Sequence, residues 1–194
     1  MTQPETPGHP HVCPVWIGHF LASPLRKLFQ NPDKILAPYV KPGMTVLDVG
    51  CAMGFFSLPM ARLTGPDGRV ICVDLQQGML DSLRRRANRQ GLDGRLDPRL
   101  CGRDGLGLED LAGQIDFAVA FAVVHEVPDA PRLFADIHAA LKPAGRLLFA
   151  EPSWHVHRTA FEQSVVAAET CGFTRVESPA IGRSHAAILE KGSK

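Results

Sequence analysis

Val46-Leu47-Asp48-Val49-Gly50-Cys51-Ala52-Met53-Gly54 is the stretch that decides the fold. Val46, Leu47 and Val49 give it the apolar, β-branched character of a buried strand, expected over Thr45–Val49. Gly50 and Gly54 then break the strand into a tight turn, and an amphipathic helix is expected to open near Phe55 and run to Leu63. In open α/β sheets, ligands bind beyond the carboxyl ends of the strands, close to the point where the strand order reverses. Two glycines let the backbone turn sharply and come close to a ligand. The first turn of the following helix aims its free N–H groups at the same place. A strand–helix turn that holds nothing would read the same way in isolation, so the case depends on the residues around it.

Working outward, strands are expected at Val70–Asp74, Leu96–Leu100, Ile115–Phe121 and Arg146–Ala150, with helical stretches at 78–90, 109–111 and 131–141 between them. Alternation at this spacing implies βαβ units and a parallel sheet, because a parallel crossover needs a connection of helix length. A helix over 159–171 follows, then strands Phe173–Glu177 and Ser184–Leu189 with no helix between them, which predicts an antiparallel hairpin at the end of the chain. The fold class is therefore α/β, a doubly wound sheet of seven strands with the last one antiparallel. The second strand closes on Asp74, 20 positions after Gly54. An acid at that place accepts hydrogen bonds from ribose hydroxyls in nucleotide-binding folds of this kind. The alternative is a helix N-cap or turn residue.

Composition sets the outer limits. The 194 residues fit one domain of ordinary globular make-up, 45% hydrophobic and 21% charged. The 21 basic and 20 acidic residues leave a formal charge of +1, without the basic field of a nucleic-acid binder, and the run Arg84, Arg85, Arg86, Arg89 reads as a solvated helix face. Five cysteines, Cys13, Cys51, Cys72, Cys101 and Cys171, form no CxxC pair and suggest neither disulfides nor a zinc ribbon. No signal peptide and no apolar run of bilayer length is found, so the chain reads as cytoplasmic, with no membrane partner.

These motifs resemble those of class I S-adenosylmethionine-dependent methyltransferases over about residues 35–190, most of all the small uninserted type that includes the quinone-biosynthesis and arsenite methyltransferases. The resemblance implies a Rossmann-like domain over 41–194, a tail and helical lid over 1–40, S-adenosylmethionine as cofactor and a small-molecule methyl acceptor, in a monomer or homodimer. It also implies that Asp48, Gly50 and Gly54, with Cys51, Ala52 and Phe55 of the same turn, hold the methionine part of the cofactor. Asp74 then binds the ribose, and Leu75 and Gln76 flank the adenine. The acid expected after the third strand falls on Asp104, with Cys101 the alternative for the same wall. The fourth motif, Asp116 to Val127, brings Phe121 to the cofactor. One departure stands out: the middle of the turn is usually glycine and is Ala52 here, which is tolerated at negative φ and costly at positive φ. A dinucleotide-binding dehydrogenase would need G-x-G-x-x-G, where this chain has Gly50-Cys51-Ala52-Met53-Gly54-Phe55.

His125, just past the fourth strand, is the candidate general base, because histidine titrates near neutrality; the alternative is a histidine packed locally. Glu126 reads as a helix or loop anchor, and Glu151, closing the fifth strand, as a pocket or a structural carboxylate. Cys13, Trp16 and His19 are expected to roof the acceptor site, with Trp154, His155 and His157 opposite. Cys13 with His9, His11 and His19 matches no zinc spacing, and no metal is assigned. The competing reading is a non-catalytic sensor or partner subunit that binds the same cofactor.

Overall fold

The computed structural model describes residues 30–192. The expected roof residues Cys13, Trp16 and His19 lie outside them, as does most of the expected lid. The described chain begins with a short helix, α1 (Pro32–Leu36), capped by the Asn31 side chain, which accepts from the Lys34 amide. Then come β1 (Thr45–Val49), α2 (Ser57–Thr64), β2 (Arg69–Asp74), α3 (Gln77–Asn88), β3 (Leu96–Leu100), β4 (Ile115–Phe121), α4 (Ala130–Ala140), β5 (Leu141–Pro152), α5 (Arg158–Thr170), β6 (Phe173–Glu177) and β7 (Ser184–Lys191). The expected piece at 109–111 is a single 3₁₀ turn.

The sheet has seven strands in the order β3-β2-β1-β4-β5-β7-β6. Pairing is parallel from β3 through β5, and β7 runs antiparallel between β5 and β6. This is the doubly wound α/β sheet expected from the alternation of strands and helices. The order reverses between β1 and β4, so the turn after β1 stands at the switch point. Alternate residues of β1 supply two different cores: Val46 packs with α1, α2 and α3, and Leu47 and Val49 pack with α4 and α5. Phe134 of α4 and Phe149 of β5 are fully buried and meet edge to face, with ring centres 5.5 Å apart. Each such ring contributes roughly 1.5–3 kcal/mol through burial.

The fifth strand differs in detail from its expected start at Arg146. Its ladder reaches back to Leu141 opposite Ile115, skips Lys142 to Gly145, and resumes with Arg146 opposite Phe117. Ala144 takes φ +59° in the skipped segment. A bulge of this kind cannot be read from the polar turn Lys142-Pro143-Ala144-Gly145, which looks like a plain loop.

Candidate functional site

The turn after β1 is built from left-handed backbone: φ is +66° at Gly50, +46° at Ala52 and +84° at Gly54. A Cβ on Gly50 would come within 2.6 Å of Val123 Cγ2, and one on Gly54 within 2.3 Å of Leu83 Cδ1, so both positions need glycine for space as well as for φ. Ala52 falls on the costly side of the alternative left open by its sequence, a strain of about 1 kcal/mol or more. Two side chains hold it there. The Ala52 amide donates to Asp74 Oδ2 at 2.8 Å, and Arg86 Nη1 donates to the Met53 carbonyl at 2.6 Å.

Asp74 closes β2 with both oxygens engaged, Oδ1 accepting from the Gln76 amide at 2.9 Å. The Leu75 amide also bonds this carboxylate, and since a carboxylate offers about four acceptor positions, Asp74 keeps capacity for a hydroxyl donor. Burial raises its pKa, against the lowering pull of the backbone amides around it. Asp48 lies deeper, on the α2 face of β1, where its Oδ2 accepts from Ser57 Oγ at 2.5 Å. Desolvation is the main cause that pushes the Asp48 carboxyl up to about 7.

These elements frame a cleft of about 200 Å³ at the carboxyl ends of the strands. Of the residues expected from sequence, Gly50, Ala52, Phe55 and Asp74 line it, as do Leu75, Gln76, Cys101 and Phe121. Asp48, Cys51, Gly54 and Asp104 do not. Asp48 and Cys51 are buried beneath the turn, Gly54 is packed against Leu83, and Asp104 is exposed in the loop after β3. Cys101 takes the wall position: its amide donates to the Asp74 carbonyl at 3.0 Å, and burial pushes its thiol up to about 11, leaving it a neutral apolar surface. The cleft also takes in residues that sequence reasoning missed, among them Met79, Glu126, Asp129, Arg132 and Asp136. Residues 132 and 136 fall on one face of α4, below its cap Asp129, a helical spacing that carried the missing signal.

The chemistry of this donor set suits a cationic nucleoside. Carboxylates from Asp74, Glu126, Asp129 and Asp136 line the cleft beside Arg103 and Arg132, while the turn has Ala52 and Phe55 where a pyrophosphate-binding turn has glycine.

Beside the cleft, a second group of side chains gathers around the ends of β4 and β5. His125 sits in a 3₁₀ turn over Val124–Glu126, with Nδ1 2.7 Å from Glu151 Oε2 and its own amide donating to Glu151 Oε1 at 3.2 Å. Glu151 is 1% exposed. Its hydrogen bond to the imidazole is the largest cause raising the His125 pKa, with burial opposing. His125 Nε2 is 3.9 Å from Glu126 Oε1, and Glu126, not His125, reaches the cleft wall. His155 stands edge-on to His125 at 4.7 Å, and Trp154, 72% exposed, tilts against His155 at 5.5 Å. Among the described residues no cluster of three or more histidine, cysteine or acidic side chains is set to hold a metal, and no helix is long and apolar enough to cross a membrane.

The family model described as "Methyltransferase domain" matches residues 46–145. The chain is 32% identical over 115 residues to a demethylmenaquinone methyltransferase of Symbiobacterium thermophilum, covering 59% of this chain and 45% of that protein. It is 31% identical over 121 residues to an arsenite methyltransferase of Halobacterium salinarum, covering 62% of this chain and 30% of that one. The matches thus span less than half the length of these two curated relatives. A solved structure of a SAM-dependent methyltransferase from Aquifex aeolicus superposes with a TM-score of 0.82 at 20% identity, covering 92% of this chain and 99% of that one, which shows a shared fold.

Proposed function

The chain belongs to the methyltransferase-domain family, and from that premise we propose that it transfers a methyl group from S-adenosylmethionine to a small-molecule nucleophile. The observation that carries this reading is Asp74, seated at the end of β2 with spare acceptor capacity, bonded to the strained turn, and open to a cleft rich in carboxylates. In this reading the turn from Gly50 to Gly54 holds the methionine part and Asp74 the ribose hydroxyls. Leu75, Gln76, Cys101 and Phe121 enclose the base. Asp48 acts from below, by bonding Ser57 and fixing the start of α2.

The cofactor supplies a methyl group already activated on a sulfonium, so the protein's work is to align the acceptor and exclude water. Alignment of this kind contributes up to ~7–11 kcal/mol in favourable cases. For an acceptor that carries a proton at neutral pH, the proton passes by way of Glu126 at the cleft wall toward His125 Nε2, 3.9 Å away, while Nδ1–H donates to Glu151. Glu151 fixes the imidazole's orientation and tautomer. Trp154 and His155 form one wall of the acceptor site. We place the enzyme in the cytoplasm, as a monomer or homodimer. The acceptor atom is oxygen, nitrogen, sulfur or a metalloid.

Calorimetry with S-adenosylmethionine and S-adenosylhomocysteine tests the binding step, and S-adenosylhomocysteine formation with a panel of phenols, amines and thiols tests the transfer. Absence of heat with either nucleoside overturns the site. A second reading, a non-catalytic binder of the same cofactor, draws on His125 standing behind the cleft wall. Tight binding without product across the panel favours it.

A further inference from the structure

A strained residue delivers Glu126 to the cleft. Ala122, just after β4, takes φ +57° while its amide still donates to the Ala150 carbonyl at 2.8 Å. The chain leaves the sheet sharply there, and Val123 packs so close to the turn after β1 that a Cβ on Gly50 would meet its Cγ2 at 2.6 Å. Glu126 follows three residues later on the wall of the same cleft, with its side chain 36% exposed and open to a ligand.

The Glu126 carboxylate is uncommitted. Among the described residues none donates a hydrogen bond to it, and its ion-pair neighbour, His125 Nε2, is 3.9 Å away. The other charged side chains of the wall have work to do. Asp74 accepts from the amides of Ala52 and Gln76, and Asp129 caps α4 by accepting from the Arg132 amide. Asp136 ties the Leu106 amide to Arg132 Nε, and Arg103 is exposed in the loop after β3. Burial is the largest cause raising the Glu126 pKa; Glu151 and Asp74 add to the rise, and His125 and His155 oppose it.

This setting discriminates between kinds of nucleophile. A phenol or a thiol would have to become an anion within reach of the carboxylates of Glu126, Glu151 and Asp74, where like charge disfavours it. An amine reaches the cleft from neutral water as a cation, pairs with a carboxylate, and becomes neutral on giving up its proton. The ring of Trp154, on the acceptor wall, also attracts a cation. We propose that the methyl acceptor is an amine, bound as its ammonium ion by Glu126, which takes its proton before the nitrogen attacks. The proposal rests on the S-adenosylmethionine reading of the cleft and narrows its acceptor to nitrogen. An N–H bond breaks and the proton goes to the Glu126 carboxylate, then by way of His125 to water. The freed nitrogen lone pair forms the new N–CH3 bond, and the electrons of the broken S–CH3 bond stay on sulfur. The products are the N-methylammonium ion, S-adenosylhomocysteine and one proton.

The test measures S-adenosylhomocysteine formed from S-adenosylmethionine with matched alkyl and benzylic amines, alcohols and thiols, and with phenols. Turnover is expected with amines and not with the other classes. For the best amine, Glu126→Gln should lower kcat/KM by roughly 10–100-fold, through a higher KM as well as a lower kcat. Glu126→Asp, which keeps the charge, should recover part of the loss. Calorimetric affinity for S-adenosylhomocysteine should stay within about threefold in both variants, since a larger change would exceed an ordinary hydrogen bond's contribution. Turnover of a phenol, alcohol or thiol in preference to every amine overturns the proposal, as does unchanged amine turnover in Glu126→Gln. So does a fall in S-adenosylhomocysteine affinity that matches the loss of activity, which would put Glu126 on the cofactor instead. Binding of S-adenosylhomocysteine without turnover of any class overturns the amine assignment and leaves the cofactor site in place. Failure of the unaltered protein to bind it removes the cofactor site, and this assignment with it.

Discussion

At the ends of β1 and β2 the protein shapes its cleft from backbone, whereas at the ends of β4 and β5 it relies on side chains. The first region is three left-handed residues in five positions, tied down by Asp74 and Arg86. The second is a chain of titratable groups, Glu151, His125 and Glu126, running from the buried sheet to the cleft wall. Backbone geometry of the first kind holds a constant partner, because it scarcely alters with pH. A side-chain network of the second kind moves protons and can change from one relative to another without disturbing the fold. The comparison separates holding from reacting.

The largest effect is expected on the backbone side. Asp74→Ala removes the acceptor of Ala52 and of the ribose together, and should weaken S-adenosylmethionine binding ~100-fold or more by calorimetry. A loss below about threefold would mean that Asp74 serves the turn alone. On the side-chain side, Glu151→Gln should leave binding nearly intact and lower kcat by roughly 10–100-fold for an acceptor that must lose its proton. The raised His125 pKa means that the imidazole becomes neutral, and able to accept a proton, only as pH rises through that raised value. Without the Glu151 charge, the rise of kcat with pH should move to lower pH, and an unshifted profile would detach Glu151 from the reaction.

Smaller effects concern stability. The Asp48 carboxyl titrates near 7 in the fold and near 3.8 as a free side chain, so the folded state binds the extra proton between those values. Stability from this group therefore falls as pH rises from about 4 to about 7, by roughly 2–4 kcal/mol. Asp48→Asn should flatten that slope in urea unfolding at pH 5 and pH 8. The smallest change is Ala52→Gly. Relief at φ +46° should outweigh the added chain freedom and raise stability by about 1 kcal/mol or less, read as a higher Tm.

The backbone region was the readable one. Glycines in a fixed pattern after an apolar strand, and an acid at the next strand's end, are local signals, and they placed Gly50, Ala52, Phe55 and Asp74 on the cleft. The same pattern placed Asp48 and Gly54 there too, where packing against Ser57 and Leu83 keeps them off it. Spacing pointed to Asp104 with Cys101 as the alternative, and the fold leaves Asp104 exposed and off the cleft, because a glycine-rich loop has no register that sequence can fix. Asp136 escaped notice because its contact with Leu106 joins residues 30 positions apart. His125 and Glu151 were each singled out, yet their pairing depends on β4 and β5 lying side by side, a consequence of topology rather than of either motif.

The insertion of β7 between β5 and β6 orders events in time. Glu151 lies on a strand bonded to β4 on one flank and, from Arg146 opposite Glu190 to Pro152 opposite Ser184, to β7 on the other. During synthesis that second flank stays open until residues 184–191 leave the ribosome. A product cut short before them would leave β5 as a raw sheet edge, prone to aggregation.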